Sequence, residues 1–230
     1  MSSIKDNLDT IHKHIFDTAV SSGRKPEHIR LIAVSKKQST EAVIECINAG
    51  AKNFGENYIQ EAIDKIQTIG KNLANWHFIG HLQSNKAKFA VQYFDYIHTV
   101  DTEKLAREID KQAGKINKIQ KILVQVNIGK EDTKSGTRIE DTLKLITRIR
   151  SYPNIAIRGL MCMPPYFSDP DEARIYFKQL VRIQEKIGEQ KYENVSMGHL
   201  SMGMSNDFKV AIEEGSTMVR VGTAIFGGRV

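Results

Sequence analysis

Cysteine is scarce in this chain: 230 residues contain two, Cys46 and Cys162, and no C-x-x-C pair. That rules out a zinc-ribbon or thioredoxin-like reading. Two isolated thiols, each inside an apolar pattern, fit a reducing cytoplasm. Long apolar runs are missing too. No stretch approaches the roughly 18 residues of a membrane span. The opening "MSSIKDNLDTIHKHIF" is polar and amphipathic, without the apolar centre of a signal peptide. The expected location is therefore cytoplasmic. Linkers rich in Pro, Gly or Ser and low-complexity tracts are also absent, so one domain is expected over residues 1–230.

The basic excess is real but dispersed. Net charge is +6, which raises the question of nucleic acid. The densest basic segment, "KQAGKINKIQK" at 111–121, has no interleaved aromatic residue and reads as a solvated lysine-rich face. Neither nucleic acid nor membrane is expected as a partner. A small anionic ligand is compatible with the charge.

What is present is a regular alternation. Strand patterns occur at 29–35, 51–55, 75–80, 94–100, 121–128, 155–163, 194–201 and 216–222. Segments of helical periodicity lie between them, such as "STEAVIECINAG" with Val43, Ile44 and Ile47 on one face. Gly50, Gly70, Gly114, Gly188 and Gly215 stand where helices should stop. "DPDEAR" at 169–174 reads as a helix start, with Asp169 as cap and Pro170 at the first helical position. Residues 2–22 add a helix before the first strand. Eight strand-helix units in one domain predict a (β/α)8 TIM barrel, with the extra N-terminal helix covering the place of a missing eighth helix. An open dinucleotide-type sheet would need a glycine-rich turn after its first strand, and "AVSKKQST" contains no glycine.

In such a barrel only the C-terminal ends of the strands open onto a ligand mouth. "LIAVSKK" ends the first strand pattern with two lysines. Strand alternation puts Lys36 on the face of Val34, with Lys37 opposite and already in the loop. Lys36 is either a solvated strand exit or an amine at the mouth, of the kind that forms Schiff bases with carbonyl compounds. In "MVRVG", Arg220 and Gly222 share the face opposite Val219 and Val221. Arg220 reads either as a structural ion-pair residue or as a site residue. Loops after strands seven and eight are the frequent phosphate site of this fold. There Ser201, Gly222 and Thr223 offer hydroxyls and backbone N–H groups, and Ser205 and Asn206 open a short helical pattern. An amine at one end and a phosphate cradle at the other is the pattern expected for pyridoxal phosphate (PLP).

The segments "LIAVSKKQ", "NFGENYIQEAIDKI", "WHFIGHLQSNKAK", "HTVD", "LVQVNIGKEDTKSG", "RGLMCMPP" and "LSMGMSNDFKVAIEEGSTMVRVGTAIFG" resemble, in order, the YggS/PROSC family of PLP-binding proteins. The resemblance spans residues 29 to 228. It implies a barrel like the N-terminal domain of alanine racemase, with PLP as a covalent aldimine on Lys36. It further implies a phosphate site at Ser201, Gly222 and Thr223, and Arg220 beside the pyridine nitrogen. Asn57 and His77 would line the pocket, and Met202 would pack beside the cofactor.

Three functions are weighed. The resemblance favours intracellular PLP (vitamin B6) homeostasis, with PLP-dependent apo-enzymes as recipients, a monomer or weak homodimer, and no robust catalysis. The alternative is a racemase-like PLP enzyme, whose second base would be His77, Tyr58 or His199. Its weakness is that no second domain is expected to follow the barrel and supply that base. The third is a basic barrel that binds RNA or protein. Cys162 is a remote candidate nucleophile.

Overall fold

The computed structural model describes residues 3–131 and 135–227. Asp132, Thr133 and Lys134 of the quoted "GKEDTKSG" segment, and Gly228, lie outside the described residues.

The strands are β1 (Arg30–Val34), β2 (Asn53–Glu56), β3 (Asn75–Phe78), β4 (Tyr96–Val100), β5 (Gln120–Val126), β6 (Ile155–Cys162), β7 (Val195–Ser201) and β8 (Met218–Val221). All pair in parallel, in sequence order, and β1 closes on β8 through the register Arg30–Met218 to Ala33–Val221. The expected (β/α)8 barrel is the observed one. The helices are α1 (Ile4–Ser21), α2 (Thr40–Asn48), α3 (Ile59–Ile69), α4 (Ala87–Tyr93), α5 (Glu103–Gly114), α6 (Thr142–Ile149), α7 (Arg174–Gly188), α8 (Phe208–Glu213) and α9 (Thr223–Phe226). Among the described residues, no helix is long and apolar enough to cross a membrane.

Two apolar layers follow from the period-two alternation. Ala33, Val219 and Val221 belong to the larger cluster between strands and helices. Ile32, Tyr96, Leu123, Met161 and Met218 form a smaller one inside the barrel. Arg220, between Val219 and Val221, therefore points inward, as the alternation predicts.

The N-terminal helix takes the expected place. α1 opens on a capping box between Ser3 and Asp6 and packs against α2, α8 and α9. Asn7 Nδ2 donates to the Ile225 carbonyl at 2.9 Å. Arg24, just beyond α1, donates to the carbonyls of Ile212 and Ser216 at 2.6 and 2.7 Å. With α9 only four residues long, α1 covers the seam that a full eighth helix would cover.

Two local readings are corrected, and a third holds with a change of helix type. The buried stripe of α2 is Val43 with Cys46, while Ile44 is 39% exposed, because one residue turns a helix by about 100°. Gly50, Gly70 and Gly215 take positive φ after their helices, but α5 and α7 run through Gly114 and Gly188. Asn117 and Lys191 make those left-handed turns instead. Asp169 caps by accepting the Asp171 N–H at 2.9 Å, and it opens a 3-10 turn ahead of α7.

Candidate functional site

Lys36 stands just beyond the C-terminal end of β1, half-buried, while Lys37 is exposed in a left-handed turn. The two lysines diverge as the alternation predicts. The last β1–β2 register pair is Val34–Gly55. Two residues beyond it on each chain come Lys36 and Asn57.

Asn57 lines a cavity of about 430 Å³ at the barrel mouth, together with Gly80, His81, Thr99, Gln125, Met163 and Met204. That volume lies within the usual range of small-molecule pockets, about 300–1,000 Å³. The Asn57 side-chain oxygen is buried there with no hydrogen-bond partner among the described residues. An orphaned buried acceptor is costly and is ordinarily met by a ligand or water. Asn57 is held in place by close packing of backbone. A Cβ on Gly80 would sit 2.1 Å from the Asn57 carbonyl oxygen. Gly80→Ala is therefore expected to cost about 2 kcal/mol or more of stability, measurable by urea denaturation. An unchanged midpoint would show that the loop yields freely.

Gly222 and Thr223 lie at the end of β8, across from β1. A Cβ on Gly222 would approach the Val34 carbonyl oxygen at 3.1 Å, so glycine lets these two strand ends close on one another. The Gly222 N–H donates to Ser205 Oγ at 3.4 Å, and the Thr223 side chain is exposed. Ser205 thus meets Gly222 across the two loops.

Arg220 is 3% exposed. It donates to Ser201 Oγ at 2.6 Å and to the Cys162 carbonyl at 2.9 Å. No carboxylate lies within ion-pair distance of it among the described residues, so it is not the ion-pair residue that spacing alone allowed. Burial lowers its pKa, and the nearby Asp207 opposes that shift.

Ser201 is the first link of a longer chain. Its Oγ lies 3.0 Å from His98 Nδ1, His98 Nε2 lies 2.9 Å from His77 Nδ1, and His77 Nε2 lies 3.4 Å from Asn53 Oδ1. Asn53 presents an oxygen, which accepts, so His77 carries its proton on Nε2. His98 then donates from Nε2 to His77 Nδ1, and Ser201 donates to His98 Nδ1. The chain runs one way from Arg220 to Asn53, and both imidazoles are neutral. Burial lowers the His77 pKa to about 3 and the His98 pKa well below its ordinary value.

These positions bear on several residues named from sequence. Ser201 is fully buried, and its hydroxyl is engaged by Arg220 and His98. His77 lies inside the barrel, stacked on Tyr96 with ring centroids 5.0 Å apart. The cavity-lining residues of its own segment are Ile79, Gly80 and His81. Met202 faces the other way, in the apolar layer between strands and helices. His199 lies 3.4 Å from the Tyr96 hydroxyl. Its pKa falls to about 4, through burial and the neighbouring cations Arg30, Arg158 and Lys121. Arg30 and Lys121 lie at the N-terminal ends of β1 and β5, so His199 belongs to the barrel floor. Tyr58 is 49% exposed at the start of α3. Cys162 is buried, which pushes its thiol up to about 12, the opposite of an activated nucleophile.

Sequence reasoning missed His98 and His81. Each stands in a quoted segment, "HTVD" and "WHFIGHLQSNKAK". Alternation alone puts His98 on the inner face with Tyr96, but nothing in the sequence says that it meets Ser201 from β7.

The chain matches the family described as alanine racemase, N-terminal domain, over residues 2–230, the class to which a closed barrel with a lysine ending its first strand points. The pyridoxal phosphate homeostasis protein of Vibrio alginolyticus is 41% identical over 233 residues, covering 100% of this chain and 99% of that one. The protein of the same name from Aquifex aeolicus is 40% identical over 224 residues, covering 97% of each. The structure of PipY of Synechococcus elongatus with PLP bound is 34% identical. It superposes with a TM-score of 0.85, over 98% of this chain and 100% of that one. The chain belongs to the alanine racemase N-terminal domain family and, within it, to the pyridoxal phosphate homeostasis proteins.

Proposed function

We propose that this protein holds PLP at the barrel mouth as a Schiff base on Lys36 and serves intracellular PLP homeostasis without robust catalysis. The observation that carries the reading is Lys36 just beyond the end of β1, at the position matching Asn57 beyond β2; the buried Asn57 oxygen, without a partner among the described residues, belongs to a residue lining a cavity of ligand size. PLP in the related PipY supports it. PLP brings an aldehyde that condenses with an amine and a ring that accepts electrons.

The chain's own residues divide the work. Lys36 supplies the amine. Gly222, Thr223 and Ser205 form the phosphate cradle, from backbone N–H groups and hydroxyls. Asn57 anchors the ligand from the cavity wall. Arg220 is the cation for the pyridine nitrogen, where a fixed positive charge disfavours ring protonation. Ser201 serves the site through Arg220, whose guanidinium it orients.

A racemase-like activity would need a second base at the mouth. Two of its candidates, His77 and His199, lie inside the barrel and at its floor. This placement supports holding and delivering PLP over turning over a substrate. The reading includes a cytoplasmic location, PLP-dependent apo-enzymes as recipients, a monomer or weak homodimer, and one domain across residues 1–230.

Borohydride reduction of the PLP-loaded protein, followed by peptide mass spectrometry, tests it. The pyridoxyl group is expected on Lys36. A label confined to another lysine refutes the proposal, and steady D-enantiomer formation from single L-amino acids refutes its non-catalytic part.

A further inference from the structure

We propose that Glu56, Glu61 and Lys65 form a buried clamp that presets the backbone of Lys36 for PLP capture; this rests on reading Lys36 as the PLP-linked lysine. The Lys65 side chain is 5% exposed, under the end of β1. Its ammonium has three N–H groups, and three acceptors meet them: the Ser35 carbonyl at 2.6 Å, Glu56 Oε1 at 3.0 Å and Glu61 Oε1 at 2.6 Å. Glu56 Oε1 also accepts the Ser35 hydroxyl at 2.7 Å, and Glu61 Oε1 accepts the Lys37 N–H at 2.5 Å.

The consequence falls on the one residue in between. The peptide plane before Lys36 carries the Ser35 carbonyl, held by Lys65. The plane after it carries the Lys37 N–H, held by Glu61. Two fixed planes determine φ and ψ of Lys36, and with them the direction of its Cα–Cβ bond. Lys37 follows at a φ of 61°, in a turn closed by the Gln38 N–H, which donates to the same Ser35 carbonyl at 3.1 Å. That turn sends the chain away from the mouth immediately after Lys36.

Burying the Lys65–Glu56 pair, with Glu61 at its edge, is a poor way to gain stability, because well-packed apolar residues of similar volume usually do as well or better. The Glu56 Oε2 oxygen, buried and without a partner among the described residues, shows that the cluster is not optimised for stability. What it does achieve is a fixed direction for one side chain. Such preorganisation speeds a reaction, since a misplacement of about 1 Å can lower a rate by about 100-fold.

The test is stopped-flow capture of PLP by the full-length apo-protein, read as the rise of imine absorbance. Urea denaturation and borohydride mapping accompany each variant. Glu61→Ala loses the acceptor for Lys37, whereas Glu61→Gln keeps an oxygen there and loses the charge. Lys65→Met releases the Ser35 carbonyl. Glu61→Ala and Lys65→Met are expected to slow capture by about ten-fold or more, and Glu61→Gln by less, with the pyridoxyl group still on Lys36. Arg174→Met is the control. It breaks a remote network to Asp171, Glu213 and Glu214, and should lower stability at an unchanged capture rate. Should Lys65→Met fail to fold, the Glu61 pair carries the test, because Glu61 is partly exposed. Wild-type capture rates in the Glu61 variants, with label on Lys36, overturn the clamp. Slowing by Arg174→Met in proportion to lost stability overturns it as well. A label on another lysine in the wild type refutes the underlying reading of Lys36 instead.

Discussion

Lys36→Ala is expected to abolish the borohydride-stable pyridoxyl adduct and to weaken PLP binding by about 100-fold or more, because a covalent tether acts at high effective concentration. Binding should not vanish. The proposed phosphate contacts at Gly222, Thr223 and Ser205 remain in place, and a hydrogen bond to a charged group contributes about 1.5–3 kcal/mol. Thr223→Ala is correspondingly expected to weaken PLP by about ten-fold, since 1.4 kcal/mol is a factor of ten, while the adduct on Lys36 persists. Equilibrium titration with and without reduction separates the two anchors. Complete loss of binding in Lys36→Ala, together with full affinity in Thr223→Ala, would sink the two-anchor description.

The second large effect is on acid stability. His77 and His98 are neutral, buried and joined to one another. Burial lowers His77 to about 3 and His98 well below its ordinary value, whereas in the unfolded chain both titrate near 6.5. Between those values the unfolded chain takes up protons that the folded chain refuses. Their contribution is fully present above pH ~6.5 and falls away as the pH drops toward the folded pKa. At pH 5 the loss is about 2 kcal/mol for His77, at about 1.4 kcal/mol per pH unit, and His98 adds to it in the same direction. Against a typical total of about 5–15 kcal/mol, that is a large share. Glu56, Asp101 and Asp207, whose carboxyls burial raises, act in the opposite direction. The diagnostic is therefore the difference between wild type and His98→Gln. The variant should lose less stability than wild type between pH 8 and pH 5, by urea denaturation. Equal losses would mean that His98 is not held neutral.

In the proposed site, Arg220 ties these observations to PLP. A guanidinium needs orienting if it is to face one ring atom, and Ser201 supplies an acceptor whose own proton is committed to His98. The neutral chain beyond it adds no positive charge next to Arg220. Burial of two imidazoles, which leaves the fold sensitive to acid, is thus coupled to the presentation of one arginine.

Much of this was readable from the chain. The eight strand patterns, the extra N-terminal helix and the separation of Lys36 from Lys37 rest on period-two and period-3.6 patterning. These periodicities are local and survive in the sequence. The inward direction of Arg220 followed from its flanking valines for the same reason. Distances across the barrel are another matter. His77 reads equally well as a pocket residue or as a bonded strand residue until β4 brings His98 to it, 21 positions away. Alternation sends Met202 outward, opposite Ser201, once β7 is known to end at Ser201. Glu56, Glu61 and Lys65 look like ordinary charges of the segment "GENYIQEAIDK", and only the fold puts all three beneath the end of β1.

By itself the sequence determined the barrel, the lysine at its mouth and the glycine-bearing loops after its last two strands, because strand alternation and turn chemistry act over a few residues. The tertiary structure decided which groups restrain that lysine and that arginine. Hydrogen bonds depend on ångström-scale approach between strands and helices distant in the chain, and those distances exist only once the barrel has closed.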